Sequence, residues 1–523
     1  MSIASQITRL QNAKTAIKAS IVAKGVTVPS NATFDSYSGY VDSINTGVAS
    51  PWTRPSDWIA LPSITSSDNK VVGIVAVYST DGKPNTLTLS ASGNYTIDWG
   101  DGTIENYSSS TVCSHTYTYA TCGGTLSSLG YKTCAFTLTM QSGQSFTSFN
   151  GNPNTYTNYN SILDIAISGS SLSSVSFSYP LYKCQRAQIL RFAGSYLSSV
   201  FANCGNLHVC TIQNCSSVTN AQYLFMYCSK LESFDCSGLP NLTNAMYMFE
   251  YCVNISTVNV SALTKVTGAI NMFNNCAHLR SIIGFSSLVT VQTAQNMFAS
   301  CYSLTSLDLS GFSSFQSGSG IFSYATYLTS VTLPATWPSC TSLASFFNTT
   351  PGIKTISIGG LTNLTSISEF CSAPPLTNDI SVIESVTLSG NSTGLTTIYD
   401  AFEYNKNVTT IDFSGLTLTA VTNASYAFDG CYSLRSLILN TLSNASLSTT
   451  QMFRECRSLI SLRIPGIVVS FSLSGCALNA SALNQVFTDL GTVSGKTITI
   501  TGNPGAGTCT QSIATAKGWT VTN

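Results

Sequence analysis

The sequence predicts a mixed chain dominated by a parallel β-solenoid, and three observations carry that expectation. Phenylalanine recurs in Phe-x-x-Cys units at Phe201, Phe225, Phe249, Phe273, Phe298, Phe428 and Phe453, with degenerate copies at Phe322, Phe347, Phe370 and Phe402. Successive steps are 24 or 25 residues, apart from single steps of 23, 26 and 32. A Leu-x-x-Leu-x-Leu-x-x-Leu pattern follows each unit, as in Leu434, Leu437, Leu439 and Leu442, then Leu459, Leu462, Ile464 and Ile467. Third, 43% of the 523 residues are apolar and only 8% are charged. A coil of this length cannot bury its apolar face alone; stacking on its neighbours builds a shared core, with one strand per coil pairing at about 4.8 Å.

Residues 1–47 read as a helical attachment module. Ile3, Ile7, Leu10, Ala13, Ile17 and Ile21 form an apolar stripe at helical spacing, broken at Gly25 and Pro29. A second short helix is expected from Asn31, with Phe34, Tyr37, Val41 and Ile44 on one side. No continuous apolar stretch precedes a small-residue cleavage site, so no Sec signal is expected. Residues 48–62 hold Trp52, Trp58, Pro51, Pro55 and Pro62, the composition of a fixed elbow.

Residues 63–155 read as a β-sandwich. Short alternating runs such as VVGIVAVYS, TLTLSASG and KTCAFTLTM are separated by Gly/Ser turns. Residues 156–475 are the solenoid, with an insertion around Pro374 to Leu395. Residues 476–523 should cap its last open coil: ALNASALNQVFTDLG looks helical, GKTITITGNPG a strand and turn, and CTQSIATAKGWTV a short helix and an extended end.

The 18 cysteines follow the repeat and form no CxxC pairs. They are expected inside as small hydrophobes, without disulfides or metal. Lys plus Arg and Asp plus Glu both number 22, so net charge is zero, which argues against nucleic acid as a partner. No apolar window is long enough for membrane insertion. His115, His208 and His278 lie far apart, so no metal site is expected; His115 suits a structural hydrogen bond. Nucleophile-elbow, zincin and phosphate-loop motifs are absent, and the acids of the strand column are separated by neutral rungs. Neither catalytic residues nor cofactors are expected, and the chain reads as a non-enzyme.

What remains for function is surface. One outward column on the repeat strands reads Asp235, Asn259, Asp308, Thr332, Ser357, Thr387, Asp412, Ile438 and Arg463, taken as the middle strand position. Apart from Ile438 it is a candidate receptor-contact column. Tyr223, Tyr227, Tyr247, Tyr251, Tyr302, Tyr426 and Tyr432 cluster beside the Phe-x-x-Cys units as a candidate aromatic stripe.

Three resemblances sharpen these expectations. Tyr95-Thr96-Ile97-Asp98-Trp99-Gly100-Asp101-Gly102-Thr103 with His115-Thr116-Tyr117 resembles the PKD-type immunoglobulin-like domain, with its WGDG turn and downstream H-x-Y. Tyr247-Met248-Phe249, Asn296-Met297-Phe298 and Gln451-Met452-Phe453 resemble the BspA-like leucine-rich repeats, whose members include bacterial and protist surface proteins and phage proteins. Ile7 to Pro29, Arg54 to Pro62 and Lys517-Gly518-Trp519-Thr520-Val521 resemble parts of the tail and fibre proteins of tailed bacteriophages. Together they imply a non-enzymatic virion protein, assembled in the host cytoplasm and tail-associated. It would be a homo-oligomer docked to other virion proteins through its N-terminal module and would present the repeat surface to host glycan or protein. The alternatives are a head-decorating or collar protein and a bacterial cell-surface adhesin.

Overall fold

The structure, a computed structural model, describes residues 11, 14, 18, 51–79, 85–151, 161–177, 180–373 and 382–523. The chain divides into two compact units, residues 1–56 and 57–523. In the first, Gln11, Lys14 and Lys18 are helical; the rest of the helical module, and the start of the insertion after Ala373, lie outside the described residues.

The second unit begins with a two-sheet antiparallel sandwich. Its strands are β1 (Lys70–Val77), β2 (Thr86–Ala91), β3 (Tyr95–Asp98), β4 (Ile104–Tyr107), β5 (Cys113–Thr116), β6 (Lys132–Met140) and β7 (Ser148–Gly151). β8 (Ile162–Ser168), β9 (Ser174–Phe177), β10 (Arg186–Arg191) and β11 (Val209–Ile212) follow. One sheet runs β4-β3-β6-β1-β8-β10-β11 and the other β5-β2-β7-β9. The Trp-Pro segment ends pinned to the sandwich: Asp57 accepts from the Ser128 N–H (2.8 Å) and hydroxyl (2.9 Å), and Trp58 is buried. The WGDG turn is held from three sides. Asp98 accepts from the Gly100 N–H at 2.8 Å, Asp101 contacts His115 Nε2 at 2.8 Å, and the Trp99 ring stacks on His115 at 4.8 Å. Gly100 has φ +74°, and a Cβ there would stand 1.9 Å from the Ala135 carbonyl.

Both sheets of the sandwich continue into the solenoid. β8 pairs antiparallel with β1 on one side and parallel with β10 on the other. The second sheet becomes parallel at β7–β9, and the Ala193 and Gly194 N–H groups then extend it onto Leu172. The boundary read at residue 155 therefore falls inside continuous sheets, and one apolar cluster runs from Val71 to Trp519. Register at the junction is fixed by a buried charge pair. Asp164, fully buried on β8, receives Arg186 Nε at 3.0 Å and Nη2 at 2.6 Å from the residue opposite it on β10.

Beyond β11 the coils add β12 (Ser233–Asp235), β13 (Thr257–Asn259), β14 (Ser281–Ile283), β15 (Ser306–Asp308), β16 (Ser330–Thr332), β17 (Thr355–Ile358), β18 (Ser385–Ser389), β19 (Thr410–Gly415), β20 (Ser436–Ile438) and β21 (Ser461–Arg463). Each hydrogen-bonded pair among them is parallel and in register, apart from a shift between Thr387 and Ser389 where β18 meets β19. A second wall is an unbroken file of parallel bridges from Tyr196 through Asn220, Asn244 and Gly268 to Ser448. Beside it the Thr243, Thr267, Thr365, Thr396 and Thr422 hydroxyls each donate to the carbonyl of the threonine one coil earlier.

The third wall is the Phe-x-x-Cys turn, and here the backbone is irregular but not unsatisfied. In the coil of Phe225, the N–H groups of Ala221, Tyr223, Phe225 and Tyr227 donate to carbonyls of the next coil. Those of Leu224, Met226 and Cys228 close local turns. The same division recurs in the coils of Phe249 and Phe273, always with the inter-coil N–H groups aimed toward the C-terminal coils. The rings stack inside: Phe225–Phe249 at 5.6 Å and 14°, Phe249–Phe273 at 5.5 Å and 2°, Phe273–Phe298 at 5.6 Å and 8°. Centroid separations larger than the coil rise mean slid, offset stacking.

Two expectations need correction. Phe370 is not the ring of its unit: the Phe347 N–H donates to Phe370 O as the Phe225 N–H does to Met248 O, so Phe370 fills the methionine slot and Cys371 the ring slot. The ring stack accordingly breaks, with Phe347–Phe370 at 73° and Phe370–Phe402 at 74°, and resumes at Phe402–Phe428 with 5°. The unit cysteines, in turn, are more than small hydrophobes. Cys228 Sγ donates to Phe201 O at 3.0 Å, Cys252 to Phe225 O at 3.1 Å, Cys276 to Phe249 O at 3.1 Å and Cys431 to Phe402 O at 3.2 Å. Where cysteine is replaced the donor survives: Thr350 Oγ1 bonds Phe322 O at 2.7 Å, and Asn405 Nδ2 bonds Cys371 O. All 18 cysteines are unpaired thiols and all but Cys509 are buried.

At the C-terminal end α1 (Ala480–Asp489) covers the edge of β21. Arg463 Nε donates to Asp489 Oδ2 at 2.8 Å, and the Ile464 N–H reaches the same oxygen at 3.1 Å. The second wall continues past it as β22 (Phe471–Ser472), β23 (Lys496–Thr499) and, after α2 (Ser512–Thr515), β24 (Trp519–Thr522). Leu473-Ser474-Gly475-Cys476 is a further degenerate unit, its Leu473 N–H donating to the next coil at Thr499 O.

Phe249→Ala should lower the unfolding free energy by about 3–5 kcal/mol in a denaturant titration, because a ring leaves a close-packed file. Cys252→Ala should cost about 1 kcal/mol, and Cys252→Thr less, because the hydroxyl keeps the donor to Phe225 O; equal losses would contradict the hydrogen-bonding role.

Candidate contact surface on the solenoid

The turn wall projects its side chains through left-handed backbone. In most coils the residues two before and two after the unit phenylalanine have positive φ, among them Tyr223 (60°), Tyr227 (62°), Tyr247 (60°), Tyr251 (59°), Asn271 (53°), Asn275 (59°) and Tyr404 (59°). Bulky side chains rarely adopt this conformation, and the inter-coil hydrogen bonds of the same residues hold it here. Consecutive coils therefore present matching positions in two parallel files. Tyr223 and Tyr247 stack at 4.8 Å and 28°, and Tyr227 and Tyr251 at 4.7 Å and 16°. The second pair stays open, with Tyr227 44% and Tyr251 37% exposed.

The other tyrosines of the expected stripe are dispersed. Tyr426 repeats the Tyr223 slot in a distant coil. Tyr302 and Tyr432 occupy the position after the unit cysteine; Tyr302 is exposed, and the Arg457 guanidinium lies 5.7 Å over the Tyr432 ring. The structure thus gathers four of the seven predicted tyrosines.

The strand column is outward, and four of its members also form turns. Its members are the third residue of each strand, and the residue before them, such as Phe234, Val258 or Ile411, faces the core. Asp235, Asn259, Asp308 and Asp412 each accept the backbone N–H two residues on, at 2.9, 3.1, 2.8 and 2.9 Å. These bonds from Ser310 hold the Asp308 carboxyl below its usual range. Asn259 also donates to Asp235 at 3.2 Å, and Arg463 is held by Asp489. Thr332, Ser357 and Thr387 are exposed, opposite Asp308, each other and Asp412 in the ladders.

A cluster that sequence reading missed lies further along the turn wall. Glu369, the pair Asp400 and Glu403, and Asp429 come from three successive coils, with Arg454 in the next. Asp429 is fully buried and ion-paired to Arg454, whose Nε reaches Oδ1 at 2.9 Å and whose Nη2 reaches the Tyr404 hydroxyl at 3.2 Å. Burial, then Asp400 and Asp429, push Glu403 up to about 7, against the opposing pull of Arg454. Burial raises Asp400 as well, with help from Glu369 and Asp429. Glu403, Asp429 and Arg454 share the slot just after the unit phenylalanine, so aligning the coils slot by slot is the signal that reveals them.

The three histidines make structural hydrogen bonds. His115 is held as described, His208 Nδ1 lies 3.0 Å from Glu232, and His278 Nδ1 lies 2.8 Å from Val253 O. Among the described residues no group of His, Cys, Asp or Glu is arranged to hold a metal, and no helix is long and apolar enough to cross a membrane.

A family model described as the BspA type leucine rich repeat region matches in six copies, over residues 152–270, 246–373 and 378–492. The chain belongs to the BspA-type leucine-rich-repeat family. No curated protein matches this BspA-type chain in sequence. Among solved structures, a leucine rich cell surface protein of Faecalibacterium prausnitzii A2-165 is 16% identical, covering 67% of this chain and 89% of its own, with a TM-score of 0.21. A chain in the structure of the Drosophila Toll–Spatzle complex is 16% identical over 64% of this chain, with a TM-score of 0.26. The BspA-type chain spans about half the length of that chain, 51%.

The raised carboxylates set a pH expectation. Glu403 binds its proton more tightly folded than unfolded, so its contribution favours the fold below about pH 4.5 and is lost as pH rises toward about 7. Glu403→Gln should therefore flatten the fall in melting temperature between pH 5 and pH 8 relative to the parent chain, read by calorimetry at about one-unit pH steps.

Proposed function

We propose that the protein is a non-enzymatic attachment protein whose BspA-type solenoid presents its tyrosine-bearing turn wall to a polar ligand on another cell. The observation that carries this is the pair of stacked tyrosine files. Backbone strain and eight inter-coil hydrogen bonds, those of the Phe225 and Phe249 coils, are committed to holding aromatic faces outward. Such faces give large contact area at low entropy cost, against sugars and proteins alike. Family membership and the scarcity of charge fit a surface built for contact.

The carrier we propose is the virion of a tailed bacteriophage, with the protein in the tail. The supports are the resemblances of Ile7–Pro29, Arg54–Pro62 and the Lys517–Val521 ending to tail and fibre proteins, and of the Trp99–Gly102 turn with His115 to PKD-type immunoglobulin-like domains. In this reading residues 1–47 dock the protein, as a homo-oligomer, to other virion proteins. A cell-surface adhesin is the second reading, because the BspA-type family includes surface proteins. Antibody labelling of purified particles separates the two: label at the tail supports the first, and particles without the protein overturn it. Glu403 and Asp400 are where a polysaccharide hydrolase would keep its carboxylates, so shortening of host polysaccharide by the protein would overturn the non-enzymatic reading.

Replacing Tyr227 and Tyr251 together by serine should reduce binding of the purified protein to host cells at least about tenfold while the melting temperature shifts by only a few degrees. Unchanged binding would remove the turn wall from the reading.

A further inference from the structure

An open cleft of about 520 Å³ lies at the start of the array, where the segment before β1 passes the turns of the first coils. We propose that it binds a carboxylate-bearing saccharide, with Arg191 as the anchor. Ser66 lines it from the segment side, and Arg191, Asn214, Ser216, Ser237 and Gly238 line it from three successive turns.

The walls are built by short hydrogen bonds. On the segment side Asp68 accepts from the Thr65 N–H at 2.6 Å, the Thr65 and Ser67 hydroxyls meet at 2.8 Å, and Asn69 takes the Ser170 N–H at 2.9 Å. On the solenoid side Asn214, at φ 48°, donates its amide to Leu190 O at 3.0 Å, and Asn241 donates to Ser216 O at 2.7 Å. Gly238 lets the wall close, since a Cβ there would sit 2.1 Å from Ile212 O.

Arg191 ends β10 with its side chain exposed, and among the described residues it makes no ion pair and no side-chain hydrogen bond. This contrasts with Arg186, Arg454 and Arg463, each locked to a carboxylate. The lining otherwise offers hydroxyls, an amide, backbone, the buried Cys215 and Pro240, with no aromatic ring and no carboxylate. A planar guanidinium matches a carboxylate through two parallel hydrogen bonds. One unpaired positive charge suits one negative charge, and the hydroxyls suit a polyol. The volume falls in the range of small-molecule sites and suits one or two sugar rings. The cleft draws on the attachment reading only for the source of the sugar, because the aromatic wall and this cleft are separate surfaces.

The test is calorimetric titration of the full chain with methyl β-glucuronide and methyl α-N-acetylneuraminide, against neutral methyl β-glucoside and glucoside 6-sulfate. Saturable binding of an acidic sugar, weakened about tenfold or more in Arg191→Gln and unchanged in Arg280→Gln, supports the site. Arg280 is an exposed arginine outside the cleft, so it controls for general charge attraction, and an unshifted melting temperature of Arg191→Gln excludes misfolding. No binding of either acid, equal binding of the neutral glucoside, preference for the sulfate, or indifference to Arg191→Gln would each overturn it. Host-cell attachment that persists in Arg191→Gln while sugar binding is lost keeps the attachment reading and the cleft distinct.

Discussion

The structure depends on hydrogen bonding between successive coils through backbone that is not β-strand. In the turn wall most coils offer four N–H groups to the next, three in the coil of Phe322, and close other groups in local turns. That requirement forces left-handed residues on both sides of the unit phenylalanine and aims their side chains outward. The ring between them has only the interior to enter. Burial of phenylalanine and display of tyrosine are thus two results of one backbone constraint, and the cysteine hydrogen follows from it. The phenylalanine carbonyl already accepts the N–H of its own cysteine and takes a second donor from the next coil.

Much of this was legible in the sequence, because burial against a neighbour repeats with the coil. The Phe and Leu positions marked the stacked core, and the Gly/Ser-punctuated strands marked the sandwich. What failed were matters of register and of partner. Phe370 was misassigned because two large apolar residues adjoin at different slots in neighbouring coils, and only inter-coil hydrogen bonds say which slot is which. The turns closed by Asp235, Asn259, Asp308 and Asp412 were not legible, because Asx-turn formation leaves no mark beyond a polar residue after a strand. The Glu403–Asp429–Arg454 cluster was invisible because its members are a full coil apart. The stacked tyrosines were legible as a group, but their pairing depends on φ angles no composition reveals.

The sandwich does more than precede the solenoid. Its two sheets each supply the edge on which a wall of the solenoid grows, and the Arg186–Asp164 pair sets the offset at the handover. A free first coil would expose two rows of unsatisfied backbone, the kind of edge that recruits other chains. Here it is consumed by strand pairing, while α1 covers β21 at the other end. Removing one partner of the buried pair would leave an unpaired charge inside the all-buried β8.

The turn-wall hydrogen bonds aim one way, and elsewhere in the same coil others aim back. In the coil of Phe273 four turn-wall N–H groups point toward the later coils, while those of Thr267, Gly268, His278, Arg280 and Ser281 donate to earlier ones. Opposed peptide dipoles offset one another along the axis, unlike those of an α-helix, which add. The carboxylates of the late coils are answered locally instead, Asp429 by Arg454 and Glu455 by Arg457. An array of this kind can be lengthened coil by coil without building up a field along its axis.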